Sequence, residues 1–197
     1  MSNVGICGAG LIGASWAVGF ASNSYNVFVY DSNHEILSNF FKIVDQLADD
    51  LKIFKNVDLN ELKSNIKICD NISEICQDSL IIQESIVEDL EEKQKIFSEL
   101  EKHSSIDTIL ASSSSYLLPS KISENLKNKQ RCIVAHPALP PHVVPFVEIC
   151  PSSETSFEVI EAAKKIYKNA NYVPIVLKKE IEGFVLNRLQ GALLNEA

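Results

Sequence analysis

The stretch from Val4 to Asp31 constrains the fold of this chain more than any other. Val4-Gly5-Ile6-Cys7 is a short apolar run, and Gly8-Ala9-Gly10-Leu11-Ile12-Gly13 follows it without a gap. Ala14 to Ala21 is almost continuously apolar, and a second apolar run, Val27-Phe28-Val29-Tyr30, ends at Asp31. The order is strand, glycine turn, buried helix, strand, acid. In such a turn each glycine has its own task. Gly8 permits the reversal, Gly10 lets a ligand approach the backbone, and Gly13 lets the helix lie close on the strand. The helix opening, with Leu11 and Ile12 inside the turn, offers free N–H groups and the positive end of a dipole, which suits a pyrophosphate. Asp31 lies 18 residues after Gly13, near the spacing of roughly 20 at which an acid bonds the adenosine ribose. A carboxylate there repels a 2′-phosphate, so the expected cofactor is NAD rather than NADP. The alternative is a βαβ unit that binds no nucleotide, and the agreement of strand, helix and acid argues against it.

A chain of 197 residues buries a full core and suggests one domain with, at most, part of another. The net charge of -8 argues against nucleic acid and anionic membrane surfaces as partners. No apolar run reaches membrane-spanning length, and Met1-Ser2-Asn3 leads straight into a strand, so no signal peptide is expected. The five cysteines (Cys7, Cys69, Cys76, Cys132, Cys150) are odd in number and lack CxxC spacing. That favours a reduced, cytoplasmic protein without a cysteine metal site.

Beyond Asp31, apolar positions from Ile36 to Leu51 recur at helical spacing. Asn56 to Ser64 is a polar connection, with room for a short helix. Strands are expected at Ile66–Cys69, Leu80–Ile82, Thr108–Ala111, Cys132–Ala135, Phe146–Cys150 and Tyr172–Leu177. Helices are expected at 71–77, from Glu88 onward, at 119–126 and at 156–167, with Glu88 to Glu92 read as a solvated first turn. Pro137, Pro140, Pro141 and Pro145 make a stiff loop. Alternating strands and helices specify an α/β, Rossmann-type, doubly wound and mainly parallel sheet, with its far side mixed. Residues 1–180 form this domain. From 181 to 197 a polar linker leads into a helix whose stripe, Val185, Leu189 and Leu193, has no partner in the sequence. A following all-α domain, or a partner subunit, is expected to cover it.

Ligands of such sheets bind at the carboxyl ends of the strands. Gly8, Asp31, Glu84, Ser112 to Ser115 and His136 end strands and should converge there. His136 and Glu148, 12 residues apart on successive strands, suit reversible proton transfer if they touch. Spacing alone is equally compatible with a histidine bonded to a loop and an unrelated glutamate. The serine run reads either as a flexible linker or, given its place after a buried strand, as hydroxyls (Ser113 among them) for the nicotinamide or a substrate oxygen. Asn187 alone reads as an ordinary helix-surface residue. His34 and His103 read as surface residues, and His142 as a residue at the mouth of the crevice.

Taken together, Gly8 to Gly13, Glu84 with Glu88-Asp89-Leu90, Ser112 to Ser120-Lys121, Cys132 to Pro137, Pro140-Pro141, Val147-Glu148 and Gly183 to Gln190 resemble the NAD-binding domain of the 3-hydroxyacyl-CoA dehydrogenase family. Within it the lambda-crystallin / L-gulonate 3-dehydrogenase branch is the nearest in pattern. The resemblance implies roles residue by residue. Ser115 corresponds to a substrate-bonding serine, His136 to the catalytic base, Glu148 to its partner and Asn187 to an active-site asparagine. Asp31 and Glu84 fall on adenosine and nicotinamide-side cofactor positions. It also implies a following helical domain that closes the cleft and forms a homodimer. At one position the pattern departs: Leu139 stands before Pro140 where the family has asparagine, and an amide is lost. The implied function is NAD-dependent oxidation of the 3-hydroxyl of a small, L-gulonate-like hydroxy acid. The alternatives are a 3-hydroxyacyl-CoA substrate and a non-enzymatic NAD(H)-binding or structural role. Residues 1–197 alone are expected to bind cofactor without useful turnover.

Overall fold

Apolar residues alternate along nearly every strand of this chain, so each strand feeds two cores, one on each face of a sheet. The computed structural model describes residues 1–197. In chain order it has β1 (Asn3–Cys7), α1 (Leu11–Ala21), β2 (Asn26–Tyr30), α2 (His34–Lys52), α3 (Leu59–Ser64) and β3 (Ile66–Ile68). These are followed by α4 (Ile72–Cys76), β4 (Ser79–Glu84), α5 (Leu90–His103), β5 (Ile109–Ser112) and α6 (Pro119–Ile122). The last elements are β6 (Cys132–Pro137), β7 (Phe146–Pro151), α7 (Phe157–Asn169), β8 (Val173–Val176) and α8 (Leu186–Glu196).

The eight strands form one sheet in the order β3-β2-β1-β4-β5-β6-β7-β8. All neighbours pair in parallel except β6 with β7, so the far side is mixed, as its closely spaced strands imply. Chain order reverses between β1 and β4, and that switch point opens a crevice at their carboxyl ends.

Val4, Ile6, Val27, Val29, Ile81, Ala111, Ile133 and Val147 point to the first core, under α1, α2 and α7. Cys7, Ile82, Leu110, Val134 and Cys150 point to the second, under α4 and α5. All five cysteines lie in this second core as free, buried thiols. Burial pushes Cys132 and Cys150 up to about 12, so they behave as small hydrophobes.

The uniform apolarity of α1 has a direct cause in its position. From Gly13 to Ala21 every residue is buried, and a helix apolar on all sides belongs inside. Trp16 and Phe20 pack there against Tyr167 and Tyr172. By contrast α2 is amphipathic, with Phe40, Val44, Leu47, Ala48 and Leu51 inward and Asn33 capping its start. Several elements differ from their sequence-based bounds. α6 is a single turn, because beyond Ile122 its polar residues are held by turns to neighbouring helices. α8 begins at Leu186, since Phe184 adopts a left-handed φ of 49° after Gly183 and turns into the core. No helix is long and apolar enough to cross a membrane.

Candidate active site

Two cavities occupy the carboxyl edge of the sheet. The first, about 840 Å³, lies at the switch point between Gly8 and Gly10 on one side and Ser85, Ile86 and Val87 on the other. Gly8 has φ +100°, which other residues rarely adopt. A Cβ at Gly13 would stand 1.8 Å from the Gly8 carbonyl oxygen, so only glycine lets the helix seat this closely. A Cβ at Gly10 would meet nothing within 4 Å and would project into open space instead. The amides of Leu11, Ile12 and Gly13 donate to no group in the chain, and α1 has no side-chain cap. This cradle fits a pyrophosphate: free donors, an unblocked backbone and the positive end of a buried helix.

Asp31 closes the cavity at the end of β2. Its Oδ2 accepts from the Ala9 amide at 2.8 Å and its Oδ1 from the Asn33 amide at 2.8 Å. Both oxygens keep lone pairs toward the cavity, where a ribose diol would be read. Tyr30, Ile36, Ile86 and Ile96 supply apolar walls beside it.

Glu84 does not face this cavity, contrary to the cofactor-contact position assigned to it above. It is fully buried, and its carboxylate is consumed by Lys93 Nζ at 2.7 Å, the Ser112 hydroxyl at 2.6 Å and the Ile86 amide at 2.7 Å. Burial pushes its carboxyl up, against the pull of Lys93 and these donors. Glu84 organises the loop after β4 and lines neither cavity. Glu88, expected in a solvated first turn, is the neighbouring acid with a site-like setting. It accepts from the Ser114 hydroxyl, from the Ser115 amide at 2.8 Å and, at 3.2 Å, from Lys93. Burial alone would raise its carboxyl, but these donors together hold it below the ordinary value. Sequence reading missed both Glu88 and Lys93. The available signal was a single lysine placed for burial inside an acidic helix opening, since Asp89 and not Glu88 caps α5.

The serine run is ordered and divides its labour. Ser113 spends its hydroxyl inside the fold, accepting from Trp16 Nε1 at 3.1 Å and Gln83 Nε2 at 2.7 Å and pairing with Ser85. Gln83 in turn accepts from the buried Tyr167 hydroxyl at 2.6 Å. With two bonds accepted and its proton shared with Ser85, Ser113 has little left for a cofactor, which corrects its cofactor-contact assignment. Ser115 is exposed, and its carbonyl accepts from the Asn187 amide at 2.9 Å.

The second cavity, about 650 Å³, is lined by Ser115, His136, Leu139, Asn187 and the apolar stripe of α8. Antiparallel pairing of β6 with β7 places His136 directly opposite Glu148. Glu148 Oε2 meets His136 Nδ1 at 2.9 Å, and both side chains are buried. Glu148 Oε1 accepts from the Val185 and Leu186 amides at 3.0 and 2.9 Å, so one carboxylate orients the imidazole and anchors the start of α8. Burial raises the Glu148 carboxyl, but the His136 bond and the two amides outweigh it and hold it below its ordinary value. Glu148 is therefore ionised at neutral pH and fixes Nδ1 as the protonated nitrogen, leaving Nε2 as the basic one. Phe184 covers the ring at 5.4 Å between centroids. His142 is not at this mouth: it is buried beneath the proline loop in a separate cavity with Gly19 and Tyr172. His34 and His103 are exposed and line neither cavity.

A nucleotide cradle at the switch point and a histidine–carboxylate pair two strands beyond β4 define a dinucleotide-binding domain of dehydrogenase architecture. The chain belongs to the 3-hydroxyacyl-CoA dehydrogenase family, residues 3–181 matching its NAD-binding domain, and its cofactor is NAD. It is 39% identical over 196 residues to a lambda-crystallin homolog of Rattus norvegicus, covering 98% of this chain and 61% of the relative. An L-carnitine dehydrogenase of Oceanobacillus iheyensis is 31% identical, over 100% of this chain and 64% of that protein. Among solved structures, a diketoreductase superposes with TM-score 0.94 at 28% identity, over 100% of this chain and 71% of that one. The (S)-3-hydroxybutyryl-CoA dehydrogenase of Ralstonia eutropha gives 0.92 at 26%, over 100% and 70%. The chain thus spans about 61% of the length of the lambda-crystallin homologs it matches.

Proposed function

We propose that this domain serves an NAD-dependent dehydrogenase that oxidises the 3-hydroxyl of a small hydroxy acid. The observation that carries the reading is the His136–Glu148 pair at 2.9 Å, opening on a cavity shared with Ser115 and Asn187. The Gly8–Gly13 turn and Asp31 would hold NAD, which would supply the hydride acceptor for the carbinol carbon. His136 Nε2 takes the hydroxyl proton, and the ionised Glu148 stabilises the imidazolium that results. The Ser115 hydroxyl and the Asn187 amide orient the substrate oxygen. The small-acid preference draws support from the lambda-crystallin and L-carnitine dehydrogenase relatives. Leu139, 67% exposed on the cavity wall, adds an apolar surface where the family pattern has an amide.

Residues 181–197 belong, in this reading, to a helical region whose other helices cover α8 and close the cavity. Val185, Leu189, Leu193 and Leu194 are all exposed, and the helix buries none of its residues. The family resemblance adds pairing of two copies through that region.

The test follows NADH formation optically in a polypeptide that includes the helical region, with L-gulonate, L-carnitine and 3-hydroxybutyryl-CoA. Turnover of a small acid supports the proposal. Turnover of the thioester alone transfers the protein to acyl-CoA oxidation, and tight NADH binding without turnover of any of the three favours a non-catalytic role. Cofactor choice is tested separately. Asp31→Ala removes a charged acceptor worth roughly 1.5–3 kcal/mol, so NADH affinity should fall about 10-fold or more while rejection of NADPH relaxes. Asp31→Asn keeps an acceptor for the Ala9 amide and should lose selectivity with less loss of stability. Unchanged selectivity in both would mean that another residue reads the ribose.

A further inference from the structure

The hydrogen bonds around Ser113 have a direction, and two groups that can play only one part fix it. The Trp16 indole N–H can only donate, and it gives to Ser113 Oγ at 3.1 Å. The Ala135 carbonyl can only accept, and Gln83 Nε2 lies 3.4 Å from it. That contact turns the nitrogen of the Gln83 amide toward Ala135 and Ser113. The amide oxygen is left to the buried Tyr167 hydroxyl, which donates to it at 2.6 Å. Gln83 Nε2 gives its other N–H to Ser113 Oγ at 2.7 Å. Two N–H donors thus occupy both lone pairs of Ser113. Its single proton points along the one remaining contact, to Ser85 Oγ at 2.8 Å.

The consequence falls on Ser85. Its oxygen accepts from Ser113, and its own proton has no acceptor in the chain, since Ser85 Oγ enters no other hydrogen bond. Ser85 is half-buried and lines the cofactor cavity opposite the glycine turn. It therefore offers a donor to whatever occupies the cavity at that point. Strand order says which part of the cofactor passes there. Along the carboxyl edge come Asp31 after β2, the glycine turn after β1, Ser85 after β4, Ser113 after β5 and His136 on β6. NAD with its adenosine ribose at Asp31 and its pyrophosphate at the glycine turn must cross β4 to bring its nicotinamide to the second cavity.

We infer that Ser85 is a cofactor-binding residue whose hydroxyl donates to an acceptor oxygen on the nicotinamide half of NAD, with Ser113 as the residue that positions it. The orientation is set from the core. Trp16 and Tyr167 pack in the first core, and through Gln83 and Ser113 they hold one hydroxyl pointing one way at the cavity. That the nicotinamide travels over β4 rests on the proposed place of the reacting alcohol in the second cavity. The donor role of Ser85 rests on the hydrogen bonds alone.

The test measures NADH and ADP binding to the 197-residue chain by titration calorimetry. ADP carries the adenosine and the pyrophosphate and lacks the nicotinamide half. Ser85→Ala should weaken NADH roughly 3–10-fold, the usual worth of one uncharged hydrogen bond, and leave ADP unchanged. Ser113→Ala lets the Ser85 hydroxyl swing, so NADH should weaken by a smaller factor, again without an effect on ADP. The double variant Ser85→Ala/Ser113→Ala should bind NADH no more weakly than Ser85→Ala, because Ser113 acts only through Ser85. The inference is overturned if Ser85→Ala binds NADH like the parent chain, or if it weakens ADP as much as NADH. Additive losses in the double variant would overturn the positioning role of Ser113. Binding is read without turnover, so failure here leaves the proposed reaction untouched, and failure of every candidate alcohol leaves the role of Ser85 standing.

Discussion

Replacing His136 with alanine should lower kcat by about 10²–10⁴-fold, the usual contribution of a positioned general base, while NADH binds nearly as before. The separation of effects follows from geometry. His136 lines the second cavity, with Ser115 and Asn187, and takes no part in lining the cofactor cavity at the glycine turn. Glu148 makes the assignment sharper, because its two oxygens do different work. Glu148→Gln keeps an oxygen for one set of partners, but removes the charge that favours the imidazolium. Its kcat should fall less than that of His136→Ala, and the loss should be accompanied by weaker anchoring of α8, measurable as faster amide exchange at Val185 and Leu186. Unimpaired turnover in His136→Ala would remove the histidine from the proton-transfer role. A parallel loss of NADH affinity would show that the residue holds the domain together and not the substrate.

The pair itself marks where sequence reading stops. His136 and Glu148 lie on strands joined by a proline loop, and their contact depends on the register in which β6 and β7 pair. A slip of one residue would turn one of them to the opposite face. Sequence shows both residues but not the register. The glycine turn was legible because each glycine answers a local backbone demand, and α1 was legible because its apolar residues leave no polar face. The mixed edge of the sheet was legible from strand spacing that leaves no room for a crossover helix between β6 and β7. The acids after β4 were not. Glu84 and Glu88 are both carboxylates near a strand end, and only the packing of α5 decides which is buried. That packing turns Lys93 inward, so the deeper acid, Glu84, becomes structural while Glu88 reaches the serine loop. His142 misled for a related reason: its place in the proline loop suggested the crevice, yet the loop folds it under α2. Phe184 lies beside the start of α8 in sequence, yet Gly183 and its own left-handed φ turn its ring over His136, which spacing alone does not show.

Removal of that inward lysine should have the largest effect on stability. Lys93 and Glu84 are 1% and 0% exposed and meet at 2.7 Å. Lys93→Met keeps the aliphatic volume but strands a buried carboxylate, a change that typically costs about 3–5 kcal/mol. For a domain of this size that corresponds to a fall in Tm of roughly 6–20 °C, at about 2–4 °C per kcal/mol. The effect should depend on pH, with a definite sign. Burial already pushes the Glu84 carboxyl above its ordinary value, and Lys93 is the main opposing influence. Without the lysine the native state retains the proton to higher pH than the unfolded chain, so stability falls as pH rises above the ordinary carboxylate range. Lys93→Met should therefore be least damaging near pH 5 and most damaging near pH 8, by differential scanning calorimetry against the parent chain. The double variant Glu84→Gln/Lys93→Met tests the cause. The side-chain amide can still accept from the Ile86 N–H through its oxygen and donate its NH2 to the Ser112 hydroxyl oxygen, without needing a counter-ion, so the double variant should be more stable than Lys93→Met alone. If the two single losses simply add, the stranded charge is not the source of the instability. In either case Lys93→Met also frees Glu88, which holds the Ser115 amide. Loss of turnover beyond the loss of folded protein would then show that the buried pair positions the serine loop as well as stabilising the sheet.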